Sequence, residues 1–201
     1  VVALLNARTI VLPEDAEQEN PDALARLITG YAVGFMALTP SRLSEYLKNL
    51  TFQAAMQGME SIICGGEAFP RELLTRLNQC TSARVYNQYG PSETTVAVSY
   101  KLMSDAELIT AGKPMENCRL YILNDHLQPL PIGVLGELYI GGQCVGRGYR
   151  NMPEQTAASF LPNPFETNDT LYRSGDMAYW TSDGEIVISG RRDRQVKLRG
   201  L

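Results

Sequence analysis

The stretch YNQYGPSETT, Tyr86 to Thr95, puts aromatic rings, amides, a Gly-Pro break, a carboxylate and three hydroxyls into ten positions. Asn87 can donate and accept through its amide, and Tyr89 can stack on a flat base. Ser92, Thr94 and Thr95 can donate to phosphate, and Glu93 can hold a hard cation such as Mg2+ through oxygen. The same residues also make an ordinary turn with polar decoration, and the decapeptide alone does not decide between the two. Upstream, CGGEAFP carries Gly65 and Gly66, which have no Cβ to keep a flat ligand off the main chain. Downstream, YRSGDM places Asp176 after a glycine, where a carboxylate can accept two ribose hydroxyls or simply cap a turn. GRRDRQVKLRG has five basic residues in eleven, enough to neutralise a phosphate or to form a solvated face. The five glycines of GELYIGGQCVGRGYRN precede no helical pattern, so they read as tight strand turns rather than a dinucleotide loop. His126 is the only histidine and sits in a turn-like stretch, which leaves neither a zinc site nor a Ser-His pair.

The elements that must position these residues fall into two kinds. Up to about Val98, short apolar runs alternate with helical patterns. ARTIVLPE, VGFMAL, SIICGG and RVYNQYG read as strands. NPDALARLITG reads as a helix capped by Asn20 and ended by Gly30. A second helix opens at Thr39-Pro40 with Leu43, Tyr46, Leu47 and Leu50 on one face, and PRELLTRLNQC gives a third. Such alternation predicts a mixed, largely parallel sheet with flanking helices. CGGEAFP and NQYGPSETT then both lie beyond carboxyl ends of strands, where α/β sheets bind ligands. After Val98 the runs are short and β-like, with TSDG as a hairpin turn and little helical periodicity, which predicts a small distorted β-barrel. The organisation expected is residues 1–100 as the α/β part, 101–190 as the barrel part and 191–201 as a hinge segment leading to a C-terminal subdomain outside these residues.

Apolar residues are 44% of the 201 and charged ones 20%, the composition of a folded chain. A net charge of −4 without a basic cluster argues against nucleic acid as the main partner. No apolar run approaches the ~20 residues of a membrane span. The spacing of Cys64, Cys80, Cys118 and Cys144 gives no CxxC chemistry, so they read as reduced thiols of a cytoplasmic protein. A start on Val-Val-Ala-Leu-Leu and a stop at Leu201 within a strand-like run both read as cut ends, so a fragment is expected.

Taken in order, NQYGPSE, GELYIGGQCVGRGY, YRSGDM and GRRDRQVKLRG resemble the successive core motifs of adenylate-forming enzymes, most closely the amino-acid-activating adenylation domains of nonribosomal peptide synthetases. The resemblance covers essentially the whole chain. It implies that Tyr89 packs on adenine, Ser92 contacts phosphate, Glu93 binds Mg2+, Asp176 holds the ribose hydroxyls, Arg191 reaches ribose and phosphate, and Asp193 is the hinge of a following subdomain. Gly65, Gly66, Glu67, Asn87, Gly90 and Ile188 complete the nucleotide set that it implies. Ala37, Ile63, Gly65, Gln88, Val96 and Ala97 would line the amino-acid pocket, whose apolar character with one amide favours an uncharged side chain.

The implied reaction joins a substrate carboxylate to the α-phosphate of ATP with Mg2+, then passes the acyl group to the phosphopantetheine of a carrier protein. Carrier and condensation domains of the same synthetase would be the partners, with no nucleic acid and no membrane. An acyl- or aryl-CoA ligase and a non-catalytic structural subdomain are the alternatives; QVKLRG and NQYGPSE lean towards the synthetases. The family's Ser/Thr/Gly-rich phosphate loop, its acidic anchor for the substrate amino group and its C-terminal catalytic Lys are not among these 201 residues. No catalytic residue is therefore expected in this chain, which by itself should be inactive or nearly so.

Overall fold

A computed structural model describes residues 7–104 and 106–192. In chain order the helices are α1 (Asp15–Gln18), α2 (Pro21–Gly30), α3 (Pro40–Tyr46), α4 (Leu50–Ala55), α5 (Arg71–Cys80) and α6 (Pro153–Ser159). The strands are β1 (Phe35–Leu38), β2 (Ser61–Gly65), β3 (Arg84–Tyr89), β4 (Ser99–Leu102), β5 (Lys113–Pro114), β6 (Cys118–Leu123), β7 (Gly136–Gly142), β8 (Phe160–Pro162), β9 (Thr170–Trp180) and β10 (Ile186–Arg191).

Local chemistry accounts for the helix starts. The Asn20 side chain accepts from the backbone N–H groups of Asp22 and Ala23, and Pro21 fills the first helical position, where no donor is needed. Thr39 and Pro40 do the same for α3. The expected continuation of α3 to Leu50 fails, because the Asn49 side chain accepts from Phe52 N at 2.9 Å and starts a new helix there. That cap is worth about 1 kcal/mol. It leaves Leu50 78% exposed and turns Phe52 fully inward.

The first sheet has the order β1-β2-β3-β4-β5. It is parallel across β1, β2 and β3, whereas β4 and β5 are antiparallel, so the parallel character expected of it holds for three strands of five. The sheet also runs past residue 100, to Pro114. ARTIVLPE forms no strand: Ile10 and Leu12 stay exposed, and β propensity without a neighbouring ladder does not suffice. Ile62, Cys64 and Val85 point to one face and join Leu43, Leu47, Phe52, Leu73 and Leu77 from the helices in a single core. Each such side chain contributes about 2 kcal/mol on burial. The alternate residues Phe35, Ala37, Ile63, Tyr86 and Gln88 lie on the other face, half-buried or exposed.

The second sheet is an antiparallel, curled half-barrel of order β10-β9-β7-β6, with β8 added to β9. The TSDG turn closes the β9-β10 hairpin through Thr181 N to Glu185 O at 2.8 Å. Helix α6 had no visible periodicity for a physical reason, since none of its seven residues is buried.

Residues 110–112 stitch the sheets together. Ala111 N donates to Ile186 O at 2.8 Å, and Ile186 N donates to Gly112 O at 2.9 Å. Beside this seam the Glu185 carboxylate accepts from Lys101 Nζ at 2.5 Å and from Thr110 Oγ1 at 2.8 Å. Burial acts to raise the Glu185 carboxyl, but these two partners outweigh it and hold it below its ordinary 4.5. The pair is mostly shielded, its side chains 17% and 18% exposed. A depressed carboxyl stabilises the fold above its unfolded value, and that stability is lost as pH falls through the lower folded value. Glu185→Gln is therefore expected to flatten the fall of stability below about pH 4.5, read by denaturant midpoints at several pH values.

Candidate nucleotide and substrate site

The end of β3 and the following loop meet the second sheet at a buried carboxylate. Ser174 and Asp176 share one face of β9, and the strand folds this face inward because alternate residues Tyr172, Ser174, Asp176 and Ala178 are buried. Ser174 Oγ donates to Leu138 O at 2.7 Å and accepts from Asp176 N at 3.1 Å, which fixes the acid's backbone. The Tyr89 hydroxyl donates to Asp176 Oδ2, although 87 positions separate the two residues. Arg191, opposite Asp176 in the β9-β10 ladder, donates from Nη1 to Asp176 Oδ1 at 3.1 Å and to Ser174 O at 3.2 Å. Burial, and after it the Asp176 charge, push the Tyr89 phenol well above its usual range, so it stays a donor. A carboxylate has about four acceptor positions, so Asp176 can hold Tyr89 and Arg191 and still receive two hydroxyls.

The loop 90–97 folds back on itself. Val98 N returns to Tyr89 O at 2.9 Å, and Thr95 and Val96 both adopt left-handed backbone, with φ of 63° and 73°. For the β-branched Val96 that is a strained conformation, the kind held in place at ligand sites. Ser92 and Val96 are exposed, while Thr94 is buried and donates to Pro91 O. Glu93, half-buried, accepts from the Tyr149 hydroxyl at 2.7 Å. Burial alone would raise its carboxyl, but hydrogen bonds from Tyr149, its own backbone and Tyr172, with the charge of Arg191, hold it below the ordinary carboxylate range. Tyr172 thus acts on both Tyr89 and Glu93, and Arg191 on both Asp176 and Glu93.

The other residues expected at the site separate into groups. Ala37 is paired with Ile63, and Gly65 with Gln88, so these four share the face of the first sheet opposite the helix-packed core. A side chain at Gly65 would start 3.0 Å from Gln88 O, which accounts for the glycine. Gly66 has φ of 83°. Val96 and Ala97 lie on the loop that packs against Gly90. Ile188 and Tyr89 pack on the same apolar cluster beneath the site. Asn87 is on the opposite, helix-facing side of β3, buried, and its amide donates to Thr110 O at 2.7 Å. Glu67 accepts from Ser41 N and Ser41 Oγ at 3.0 and 2.9 Å, at the start of α3. Asp193 lies outside the described residues. Tyr149, Tyr172 and Ser174 were not singled out, yet the last two carry a readable signal: they precede Asp176 by four and two positions on one strand.

Residues 1–150 match the AMP-binding enzyme family. The chain belongs to that family. This AMP-binding family member is 41% identical over 199 residues to the PKS-NRPS hybrid synthetase ATPKS of Aspergillus niger, across 99% of this chain and 11% of that protein. It is 38% identical over 201 residues to gramicidin S synthase 2 of Aneurinibacillus migulanus, across 98% of this chain and 4% of that protein. A four-domain nonribosomal peptide synthetase solved with AMP and glycine shares its fold, with a TM-score of 0.83 and 33% identity over 94% of this chain and 14% of that one. The AMP-binding chain thus spans 11% or less of these two curated relatives. Among its described residues no helix is long and apolar enough to cross a membrane.

Proposed function

We propose that the protein carrying this chain activates an amino acid with ATP, forming aminoacyl-AMP and pyrophosphate for transfer to a carrier-protein phosphopantetheine thiol. The observation that carries this reading is the cluster of Tyr89, Asp176 and Arg191 near Glu93, where the end of β3 meets the second sheet of an AMP-binding family member. Carrier and condensation domains of the same polypeptide are the proposed partners. In the proposed arrangement the partly exposed Tyr89 ring covers adenine, Asp176 accepts the ribose hydroxyls, and Arg191 orients Asp176 while adding positive charge towards the phosphates. Ser92, exposed at the turn, donates to phosphate oxygen. A carboxylate oxygen of the substrate bonds to the α-phosphorus as the bond to the pyrophosphate oxygen breaks, so the protein's part is positioning and charge placement.

Glu93 suits Mg2+. Among the described residues no three His, Cys, Asp or Glu come together as a protein cage. Mg2+ instead commonly takes one or two carboxylates and completes its shell with water and substrate phosphates. When bound it supplies charge neutralisation on the phosphate oxygens.

The four co-facial residues Ala37, Ile63, Gly65 and Gln88, with Val96 and Ala97, form the proposed wall of the amino-acid pocket. They offer apolar contact and one amide, but no charge to pair with an ionised side chain, and an unpaired buried charge is costly. Amino-acid-dependent ATP–pyrophosphate exchange by the full-length protein is the test. The expected result is exchange with an uncharged amino acid at least tenfold above that with Asp, Glu, Lys or Arg. Preference for a charged amino acid overturns the pocket assignment, and exchange with none of a full panel overturns the proposed function.

A further inference from the structure

GELYIGGQCVGRGYRN, residues 136–151, reads as strand turns in the sequence, and the proposed chemistry leaves its part from 141 to 149 without a task. In the structure it grips the 92–95 turn at three points. Thr95 Oγ1 donates to Cys144 O at 2.8 Å, Gly146 N donates to Glu93 O at 2.8 Å, and the Tyr149 hydroxyl donates to Glu93 Oε1 at 2.7 Å. A Cβ at position 146 would stand 2.9 Å from Glu93 O, so the close approach requires glycine there. Tyr149 is itself anchored from two sides. Its backbone N–H donates to Thr156 Oγ1 at 2.9 Å, and that hydroxyl donates back to Tyr149 O at 3.3 Å. Its ring meets Phe160 edge-on, with centroids 5.5 Å apart. A threonine on α6 and a phenylalanine at the start of β8 thus fix a phenol whose hydroxyl reaches one oxygen of Glu93.

From this geometry we infer that Tyr149 is a positioning residue for the metal ligand: it holds the Glu93 carboxylate in the orientation that accepts Mg2+ with ATP, and Gly146 sets the backbone distance that makes this contact possible. The inference rests on the reading of Glu93 as the Mg2+ ligand. A carboxylate on an exposed turn otherwise samples several rotamers, and each cation-binding event must then select one of them. The hydrogen bond from a neutral phenol restrains the rotamer without cancelling the negative charge that the cation needs.

The test compares Glu93→Gln, Tyr149→Phe and Gly146→Ala in the full-length protein, with Tyr121→Phe as a control for hydroxyl removal in the separate stack of Tyr121 on Phe165. Direct binding of Mn2+ in the presence of ATP is measured by electron paramagnetic resonance, alongside the Mg2+ dependence of pyrophosphate exchange. Tyr149→Phe keeps the ring packed on Phe160 and is expected to weaken cation binding about tenfold with only a small loss of thermal stability, as befits one hydrogen bond to a charged group. Its maximal exchange rate at saturating Mg2+ should stay within about twofold. Gly146→Ala is expected to weaken the cation at least as much, and Tyr121→Phe not at all. If Glu93→Gln shifts cation binding and Tyr149→Phe does not, the positioning role is overturned while the metal reading stands. If Glu93→Gln itself has no effect, the metal reading is overturned, and the positioning role with it.

Discussion

Replacing Asp176 by alanine is expected to lower kcat/KM for ATP by about 10²- to 10³-fold and to destabilise the fold by about 3 kcal/mol. The two effects share one cause. Asp176 is 6% exposed and accepts from Tyr89 and Arg191, so its removal takes the acceptor from a buried phenol and one anionic contact from the Arg191 guanidinium. Losing one member of a buried hydrogen-bonded cluster is costly because the donors left behind were desolvated to meet it. Asp176→Asn separates the contributions. It keeps the volume and one acceptor oxygen but not the charge, so the loss of stability should be smaller than with alanine, whereas the acceptor capacity for the ribose hydroxyls is halved and AMP binding should still drop about tenfold or more. Calorimetric titration with AMP, run beside thermal unfolding, reads both. AMP affinity within twofold of wild type in both variants would remove Asp176 from the nucleotide site.

Gly90→Ala is the second large effect. A Cβ here would lie 2.5 Å from Val96 O, 2.8 Å from Ala97 Cα and 2.9 Å from Ala97 N, all of them backbone atoms with no rotamer to yield. The loop must open, and it already holds two left-handed non-glycine residues at about 1–3 kcal/mol each. Because Glu93 rides on the same loop as Val96 and Ala97, the variant is expected to raise the KM for ATP and for the amino acid together, with kcat/KM down at least a hundredfold. Gly30→Ala is the matched comparison: nothing lies within 4 Å of its added Cβ, and activity should not change. A Gly90→Ala protein that loses affinity for only one of the two substrates would show that the loop does not couple their sites.

What the sequence disclosed about this molecule was local. Asn20 announced its helix, TSDG its hairpin, and Tyr89, Glu93 and Asp176 stood out as residues with suitable chemistry. Distances across the chain were not legible. Tyr89 meets Asp176 across 87 positions and Tyr149 meets Glu93 across 56, because the packing of two sheets decides both contacts and no local pattern encodes it. Asn49 looked like one more polar residue on a continuing helix; only its backbone conformation makes it a cap, and so Leu50 was placed on the wrong side of a break. ARTIVLPE had the composition of a strand but no partner. Helix α6 had a partner, the Tyr149 backbone, but no apolar stripe by which to be found.

The pleat of β1, β2 and β3 has one last consequence. Met36, Ile62, Cys64 and Val85 lie under the helices, and Ala37, Ile63 and Gln88 of the same strands lie on the opposite face. If the proposed pocket holds, stability and selectivity are written in alternate letters of the same strands. A change in one set need not be answered in the other, so on the proposed pocket assignment the preferred amino acid can change through every second residue while the core stays untouched. A mutational library confined to positions 37, 63 and 88 would explore that freedom without eroding the core.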